Sequence, residues 1–383
     1  MDFSLSEEQI MLRESTRDYA RERLAPLAQE AEEQGYTHEE VIKELADLGY
    51  FGVCTPPEYG GAGFDSLCLV LAIEEISKVD ASIGVMLSVT NSLTQGALIR
   101  FGNEDQKKTY LPALASGEKI GAFCLTEANA GSDASAVKTS ARREGDMYVL
   151  NGTKTFVTNG SIADVFIVIA VTDADAGKNG ISVFIVEKGA KGLSVGKKEN
   201  KMGLRASATT EIVFDGCEVP ATNLLGQEGD GLRIAYTLLA DSRIGIAAQA
   251  LGIAEGAFDE SVEYANVRVQ FGHPISKFEA IQFMLADMRT DIEAARLLTY
   301  RAAVLKDSGA DVLNEASMAK LFASEASFRC VHKATQIHGG YGYIKEYAVE
   351  RMYRDQRVTE IYEGTSEVQR KIIANAILKE SQK

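Results

Sequence analysis

The sequence has 383 residues, 45% of them hydrophobic and 25% charged, which is the balance of a globular protein with two or three domains or one large one. Its formal net charge of -15 argues against a general nucleic-acid binder, and five cysteines without a CxxC pair and four scattered histidines argue against a disulfide framework and a zinc site. No apolar run reaches the ~18 residues of a membrane span and the start MDFSLSEEQI lacks a secretory signal, so we expect a cytoplasmic protein, with a mature mitochondrial form left open.

The first part of the chain, residues 1–118, has a helical pattern. Charged residues alternate with apolar ones at spacings of three and four in MDFSLSEEQIMLRESTRDYARERLAPLAQEAEEQ. The loop PPEYGGAGFD interrupts this pattern with its Pro-Pro and Gly-Gly steps. We therefore predict an N-terminal all-helical domain over residues 1–118.

Residues 119–228 change to short runs of β-branched and aromatic residues, namely VFIVIAVT, ISVFIVE and TEIVFDGCEV. Turns rich in Gly, Asp and Asn, such as DADAGKNG, separate these runs, and no helical crossover fits between them. The pattern predicts a middle antiparallel β domain, as a sheet or a small barrel, and not a dinucleotide-binding α/β unit.

From residue 229 to residue 383 the pattern is helical again. Apolar positions recur four and three residues apart in a stripe formed by Ile281, Leu285, Met288, Ile292, Ala295, Thr299 and Ala302. The last helix is predicted to begin near Ser366, with Gln369 completing a capping box. The chain is therefore predicted to be an α+β protein whose C-terminal domain, residues 229–383, is a four-helix bundle.

Two stretches of the middle domain combine a strand with residues that suit a ligand. AFCLTEANAGSDAS leaves a predicted strand and enters a loop whose Thr126 and Ser132 hydroxyls suit a planar or anionic ligand, although an ordinary strand-to-loop connection has the same composition. NGTKTFVTNG has two Asn-Gly steps around a short β run, which is typical of two tight turns and a strand. Neither stretch indicates a particular chemistry by itself.

Three stretches of the C-terminal domain carry further candidates. In RVQFGHPISKFEAIQFMLADM the Arg268 guanidinium suits a phosphate, although an isolated surface arginine is the commoner case. The paired glycines of QIHGGYGYIKE either end a helix or let a ligand approach the backbone. IYEGTSEVQR places Glu363 between a tyrosine and a glycine just before the last predicted helix, where an acid can also serve the helix start.

Taken together and in order, these stretches resemble the acyl-CoA dehydrogenase family over essentially the whole chain, nearest to its short-chain, butyryl-CoA-like branch. The resemblance is carried by PPEYGGAGFD, FCLTEANAGSDAS, KMGLRASATTEIVFDGCEVP, RIGIAAQALGIA, RVQFGHPISKFEAIQFMLADM, QIHGGYGY and MYRDQRVTEIYEGTSEVQR. It implies a helical domain, a β domain and a four-helix bundle. It also implies FAD as cofactor, an acyl-CoA substrate, electron-transferring flavoprotein as electron acceptor, and a homotetramer.

The resemblance implies that Glu363 is the catalytic base, which removes the α-proton of the thioester while the β-hydrogen leaves as hydride to the flavin. Its N–H is expected to hold the thioester carbonyl, and apolar surroundings are expected to raise its pKa toward working pH. Some relatives carry the base immediately before the arginine of the RIGI-like stretch, but serine stands there in this chain and cannot replace a carboxylate. Substrate contacts are implied for Ser132, Ala240, Asp241, Ser242, Arg243 and Gly364.

The same residue-by-residue comparison implies the FAD contacts. The flavin half is expected against Phe123, Leu125, Thr126, Gly131, Ser132, Phe156, Val157 and Thr158, with Thr365 and Glu367 closing the site. Arg268 is expected to hold the pyrophosphate from a neighbouring subunit, with Phe271 and Glu279 in the same motif. The adenosine half is expected against Gln336, Ile337, His338, Gly339 and Gly340.

Three other functions fit parts of this sequence. A non-enzymatic flavoprotein on the same fold would need a basic surface for a nucleic-acid role and would not need Glu363. An oxidase would differ in the access of oxygen to the flavin, which depends on packing. Within the dehydrogenases, ASIGVMLSVTNSL carries no positive charge for a dicarboxylic substrate, whereas a branched or alicyclic acyl group stays open.

Overall fold

The computed structural model describes residues 4–381. Seven helices form the N-terminal part: α1 (Glu7–Tyr19), α2 (Ala25–Gln34), α3 (Glu39–Asp47), α4 (Ser66–Ser77), α5 (Ala81–Ser88), α6 (Gly96–Phe101) and α7 (Glu104–Ala115). Two π-helical turns, Ala20–Leu24 and Val89–Gln95, join α1 to α2 and α5 to α6. The predicted all-helical start of the chain is confirmed.

One eight-stranded sheet makes up the middle of the chain. Its strands are β1 (Gly121–Cys124), β2 (Ser140–Glu144), β3 (Met147–Thr158), β4 (Val165–Val171), β5 (Ile181–Glu187), β6 (Leu193–Lys198), β7 (Thr209–Pro220) and β8 (Leu224–Leu225). They lie in the order β6-β7-β3-β2-β4-β5-β8, with β1 also paired to β4. The predicted β domain is confirmed. Its pairings are antiparallel except those of β4 with β1 and β2, which are parallel. The β2-β3 hairpin is the crossover that connects β1 to the parallel strand β4.

Strands β4 and β5 are buried on both faces. In β4, Val165, Ile167 and Ile169 pack with the helices in the main hydrophobic core, while Phe166 and Val168 pack in a second core on the other face of the sheet. Side chains alternate across a strand, and a strand covered on both faces therefore reads as a continuous apolar run. This explains the composition of VFIVIAV and ISVFIVE and places the sheet between two apolar layers.

The C-terminal part is built on three long helices and two shorter ones: α8 (Gly231–Val267), α9 (Glu279–Asp307), α10 (Leu313–His338), α11 (Ala348–Gln356) and α12 (Ser366–Glu380). A ribbon of β9 (Val269–Gln270) and β10 (His273–Pro274) connects α8 to α9. Most of the predicted α9 stripe is buried, namely Met288, Ile292, Ala295, Thr299 and Ala302. Ile281 and Leu285 are partly buried against the same core, so the predicted helical bundle is confirmed.

Three other properties of residues 4–381 concern membrane spans, metal ligands and cysteines. No helix in this range is both long and apolar enough to cross a membrane. No group of His, Cys, Asp and Glu side chains in it is arranged to hold a metal ion. All five cysteines are free thiols, as expected from their spacing.

Candidate active site

Glu363 lies in a short loop between a 3-10 turn, Arg357–Glu360, and the start of α12. Its backbone is left-handed at a φ of 52°, and Gly364 follows at 96°. A left-handed backbone is uncommon for a residue with a side chain, costs about 1–3 kcal/mol and is concentrated at functional sites. A residue with a side chain at position 364 would be strained in the same way, and its Cβ would lie 2.6 Å from the side-chain amide nitrogen of Gln369. The Glu-Gly pair therefore forms a tight turn in front of the helix.

The helix after this loop begins at Ser366 as predicted, but its predicted capping box is wrong. The N-cap is Thr365, whose hydroxyl accepts a hydrogen bond from the Val368 N–H at 3.3 Å. Gln369 does not return to the cap. Its amide group donates instead to the carbonyl oxygens of Glu363, at 3.3 Å, and of Gly364, at 2.8 Å, so it holds the loop.

Two further helices donate to the same loop. The Nε of Arg243, on α8, donates to the Glu363 carbonyl at 3.2 Å. The Nζ of Lys320, on α10, donates to the Gly364 carbonyl at 2.7 Å. With Gln369 on α12, side chains from three helices hold the two carbonyl groups of a strained turn.

The Glu363 carboxyl is held in a dry environment. Its Oε2 atom is buried without a hydrogen-bond partner in the described chain. Burial raises the pKa of Glu363 to about 7, while the Ser242 hydroxyl and the positive charges of Lys320 and Arg243 act in the opposite direction. The direction of this shift is the one expected from the sequence for a general base.

Glu363 lines a cleft bounded by the N-terminal helices, the sheet and the C-terminal helices. The cleft has two adjoining lobes of about 180 Å³ and 560 Å³, a size that suits a small-molecule site. The predicted site residues that line it are Phe123, Leu125, Thr126, Gly131, Ser132, Phe156, Thr158, Arg243, Glu363, Gly364 and Thr365. Residues from three distant parts of the sequence are therefore brought to one place.

A bulge in β3 directs an aromatic ring into this cleft. The pairing of β3 with β7 shifts register between Lys154 and Val157, and Phe156 inside the bulge has a left-handed backbone at a φ of 56°. The Phe156 ring is 63% exposed and lines both lobes. Val157, which was predicted to contact the flavin, turns the other way and packs in the second core, so its side chain lies outside the cleft.

A buried ion pair that the sequence analysis missed supports the loop of residues 125–139, which lines the cleft. The Lys154 Nζ donates to Glu127 at 2.7 Å and to the Leu125 carbonyl at 3.0 Å. Glu127 in turn accepts from the N–H groups of Lys138 and Thr139 at 2.7 and 2.9 Å. On β3, Lys154 lies on the same face as the buried Tyr148 and Leu150. A charged residue on a buried face needs a partner, so the alternation of the strand could have indicated this ion pair from the sequence.

Of the predicted substrate contacts on α8, some lie at the cleft and others do not. Arg243 lines the cleft, and the Ser242 hydroxyl is buried and acts on the Glu363 carboxyl. Ala240 and Asp241 line neither lobe. The Asp241 carboxylate is ion-paired with Arg100 and lies 3.9 Å from the Lys306 Nζ, so it is already neutralised by residues of the same chain.

A second cavity of about 480 Å³ gathers another part of the predicted cofactor set. Arg268, Ile337, His338, Gly339 and Gly340 line it. The Arg268 guanidinium lies over the Tyr341 ring, 5.4 Å from its centroid, and the His338 ring stacks on Tyr264 at 4.3 Å. Burial lowers the pKa of His338, which favours its neutral form.

Besides Val157, four predicted cofactor residues lie outside both cavities. Gln336 and Glu279 are exposed and line neither one. Phe271 is 91% exposed with a left-handed backbone at a φ of 52°, and its ring contacts Phe278 edge-on. Glu367 is exposed in the first turn of α12. Their contacts with the cofactor stay a prediction.

The cleft fits the flavin half of FAD by its own chemistry. Phe156 presents an exposed aromatic ring against which a planar ring system can stack. The Thr155 hydroxyl and the Arg243 Nη1 are buried without a partner in the described chain and are therefore available to a polar ligand. A Cβ at Gly131 would meet nothing within 4 Å, so the 125–139 loop leaves open space.

Comparison with known proteins gives the same assignment. The acyl-CoA dehydrogenase family models match residues 6–118 (N-terminal domain), 122–217 (middle domain) and 229–378 (C-terminal domain). The short-chain specific acyl-CoA dehydrogenase of Clostridium acetobutylicum is 49% identical over 99% of this chain and 100% of its own.

Solved structures agree. Butyryl-CoA dehydrogenase from Megasphaera elsdenii superposes with a TM-score of 0.97 at 47% identity, covering 99% of this chain and 100% of the other. A chain solved in work on the electron transferring flavoprotein of Acidaminococcus fermentans superposes with a TM-score of 0.98 at 49% identity, with the same coverage. With family models matched in all three parts and relatives 47–49% identical over 99% of its length, the chain belongs to the acyl-CoA dehydrogenase family.

Proposed function

We propose that the protein catalyses the FAD-dependent dehydrogenation of a short-chain acyl-CoA thioester to the trans-2-enoyl-CoA. The observation that carries this proposal is the Glu363 carboxyl. It lines the cleft, one of its oxygens is buried without a partner in the described chain, and its pKa is raised to about 7. Such a carboxyl is suited to take a proton from a weak carbon acid near neutral pH.

Glu363 carries two functions in this proposal. Its carboxylate removes the α-proton, and its N–H, which has no acceptor within residues 4–381, holds the thioester carbonyl as negative charge develops there. Bound FAD would supply the acceptor for the β-hydrogen, which leaves as hydride. We propose that Phe156, Thr158 and the 125–139 loop hold the flavin half, because they line the cleft beside Glu363.

The rate is expected to depend on the protonation of Glu363. A base with a raised pKa is protonated, and therefore inactive, below that pKa. With a pKa of about 7, kcat/KM should be nearly constant above neutrality and fall about tenfold for each pH unit below it. The measurement is kcat/KM for butyryl-CoA between pH 5 and pH 9 with a dye acceptor. A profile that stays flat down to pH 5 would contradict the assignment of the base.

The proposed substrate is an acyl-CoA of about four carbons. The smaller lobe, of about 180 Å³, is lined in part by apolar side chains, among them Val85, Val89 and Leu93. The short-chain specificity in the name of the Clostridium relative supports this choice. A hydrophobic pocket separates acyl groups by only ~1–3 kcal/mol per methylene, so neighbouring lengths should react with graded efficiency.

The test of the proposed function is a panel of butyryl-, hexanoyl-, octanoyl-, isovaleryl-, glutaryl- and cyclohexanecarboxyl-CoA with a dye acceptor. We expect purified protein with one FAD per chain and the highest kcat/KM for butyryl-CoA. A preference for octanoyl or glutaryl thioesters would show that the branch is wrong, and a preference for the ring compound would support an alicyclic substrate. Protein that takes up no FAD would refute the function itself.

We also propose electron-transferring flavoprotein as the electron acceptor and a homotetramer as the assembly. The acceptor is supported by the similarity to a chain solved in work on such a flavoprotein. Comparing oxygen with this flavoprotein as oxidant of the reduced enzyme separates a dehydrogenase from an oxidase. The predicted cytoplasmic location stays a prediction.

Replacing Arg268 by alanine is expected to weaken FAD retention and to loosen the oligomer together. The Arg268 guanidinium lines the second cavity and has no carboxylate partner in the described chain, so it is free to pair with a phosphate. Removing one member of a buried charge pair at an interface leaves the other member unpaired, which weakens both the binding of FAD and the association of the subunits. FAD content after gel filtration and the sedimentation coefficient are the measurements.

The matched control is Arg142→Ala, which removes an exposed arginine of β2 whose only ion-pair partner among residues 4–381 is Glu144. It should keep both FAD and oligomeric state. Unchanged FAD affinity in a stable tetramer of Arg268→Ala would show that Arg268 is only a surface residue.

A further inference from the structure

Lys320 is a fully buried lysine without a salt bridge. Lys320 on α10 is 0% exposed, and no carboxylate oxygen in residues 4–381 lies within 4.0 Å of its Nζ. A buried ammonium is unfavourable unless a group in its surroundings compensates for the lost water. Within the described range, the one acceptor that it contacts is the carbonyl of Gly364, at 2.7 Å.

This contact lies in the turn that carries Glu363. Glu363 has a left-handed backbone, which is strained for any residue with a side chain. The two peptide groups that follow it are fixed through their carbonyls, the first by Arg243 and Gln369 and the second by Gln369 and Lys320. Lys320 is the donor that holds the far end of the turn against α10.

We propose that Lys320 is a positioning residue for the catalytic turn: its ammonium holds the Gly364 carbonyl and thereby fixes the direction of the Glu363 carboxylate. This inference rests on the proposed function, in which Glu363 is the base. Lys320 does not line the cleft, so it acts through the turn and not on the substrate.

The charge of Lys320 has a second effect on the same carboxyl. The charged groups that act on Lys320 are Glu363 in the turn, Arg243 on α8, Glu360 before the turn and Glu367 on α12. Burial lowers the pKa of Lys320 to about 8, with Glu363 acting to raise it, so the lysine is charged at neutral pH. A nearby positive charge favours the carboxylate form of Glu363 and lowers its pKa relative to burial alone.

The first test is Lys320→Met, which keeps the length of the side chain and removes the donor and the charge. We expect kcat for butyryl-CoA to fall about 10- to 100-fold, the loss typical of a charge-assisted hydrogen bond, while KM changes less than about threefold. The acid limb of kcat should move to higher pH, because the carboxylate loses a positive neighbour. A residue that only fills the core would not move this limb.

The second test does not depend on turnover. Hydrogen exchange of the peptide that spans residues 358–368, measured by mass spectrometry on the FAD-bound protein, should be faster in Lys320→Met because the turn opens more often. Lys333→Met is the matched control, since it removes a lysine of the same helix that pairs with Asp287 at 3.3 Å on the surface. It should leave the exchange of this peptide, kcat and the pH profile unchanged.

The outcomes separate the two proposals. Wild-type exchange and a wild-type acid limb in Lys320→Met would overturn the positioning role. The positioning role would also be overturned if Lys320→Met and Lys320→Gln both gave no folded, FAD-containing protein while Lys333→Met folded. That result would show that Lys320 is needed for overall stability. If Glu363 proves not to be the base, the exchange experiment still reports whether Lys320 holds the turn.

Discussion

Replacing Glu363 by glutamine is expected to lower kcat for butyryl-CoA roughly a thousandfold, while FAD content and the affinity for the thioester stay near wild type. The amide is nearly isosteric with the carboxyl but cannot take a proton. The carbonyls of Glu363 and Gly364 are held by side chains that the substitution does not touch, so the turn should persist. The measurements are steady-state rates, the visible spectrum of the flavin and the binding constant of a CoA thioester.

The matched control for this prediction is Glu325→Gln. Glu325 is on α10 and pairs with Arg370 at 2.6 Å on the protein surface, where an ion pair contributes no more than about 1 kcal/mol. The control should retain wild-type kcat. Near-normal turnover in Glu363→Gln would place the base elsewhere. A simultaneous loss of flavin would instead show that the substitution disturbs the site and not only the proton transfer.

Replacing Lys154 by methionine is expected to lower the free energy of unfolding by about 3 kcal/mol and to weaken FAD retention. The change leaves the Glu127 carboxylate buried without its cation and removes a donor from the Leu125 carbonyl. Burial alone would raise the pKa of Glu127, but Lys154 and the hydrogen bonds from Thr139 lower it overall, so the carboxylate is charged. Denaturant unfolding and the dissociation constant of FAD are the measurements.

The sign of the pH dependence follows from the lowered pKa of Glu127. The stability that Glu127 contributes is present above the pKa it has in the unfolded chain and is lost as the pH falls through its folded value.

Lys138→Met is the control for Lys154→Met, because the N–H of residue 138 still donates to Glu127 and the Lys138 side chain is exposed. The double variant Lys154→Met with Glu127→Gln should be less destabilised than the sum of the singles; strict additivity would mean that the pair is not coupled.

The local sequence pattern was sufficient to predict those helices and strands whose burial is uniform along each face. The runs of β4 and β5 could be predicted because both faces of these strands are buried, and the α9 stripe because one face of that helix meets the core. In contrast, α8 has buried residues on all sides for most of its length. No stripe therefore marks which face meets the cleft, and the expected substrate contacts of Ala240 and Asp241 could not be resolved from sequence.

The groups that support the site were missed for a different physical reason. Lys154 and Lys320 have partners 27 and 44 residues away in the sequence, and each is stabilised only after three-dimensional packing is complete. Glu363 was found through the family resemblance and not through any local rule, since a carboxylate before a helix is common. Its left-handed backbone, which sets it apart from such acids, has no signature in composition or periodicity.

The burial of β4 and β5 on both faces bears on how the chain folds. Val165, Ile167 and Ile169 belong to the same apolar core as the helices that precede and follow the sheet, whereas Phe166 and Val168 belong to the core within it. Excising the sheet would expose the first set to water, and an exposed row of β-branched side chains on a strand favours aggregation. We therefore expect the helical start, the sheet and the C-terminal helices to unfold as one cooperative unit, and a fragment cut at their borders not to fold by itself.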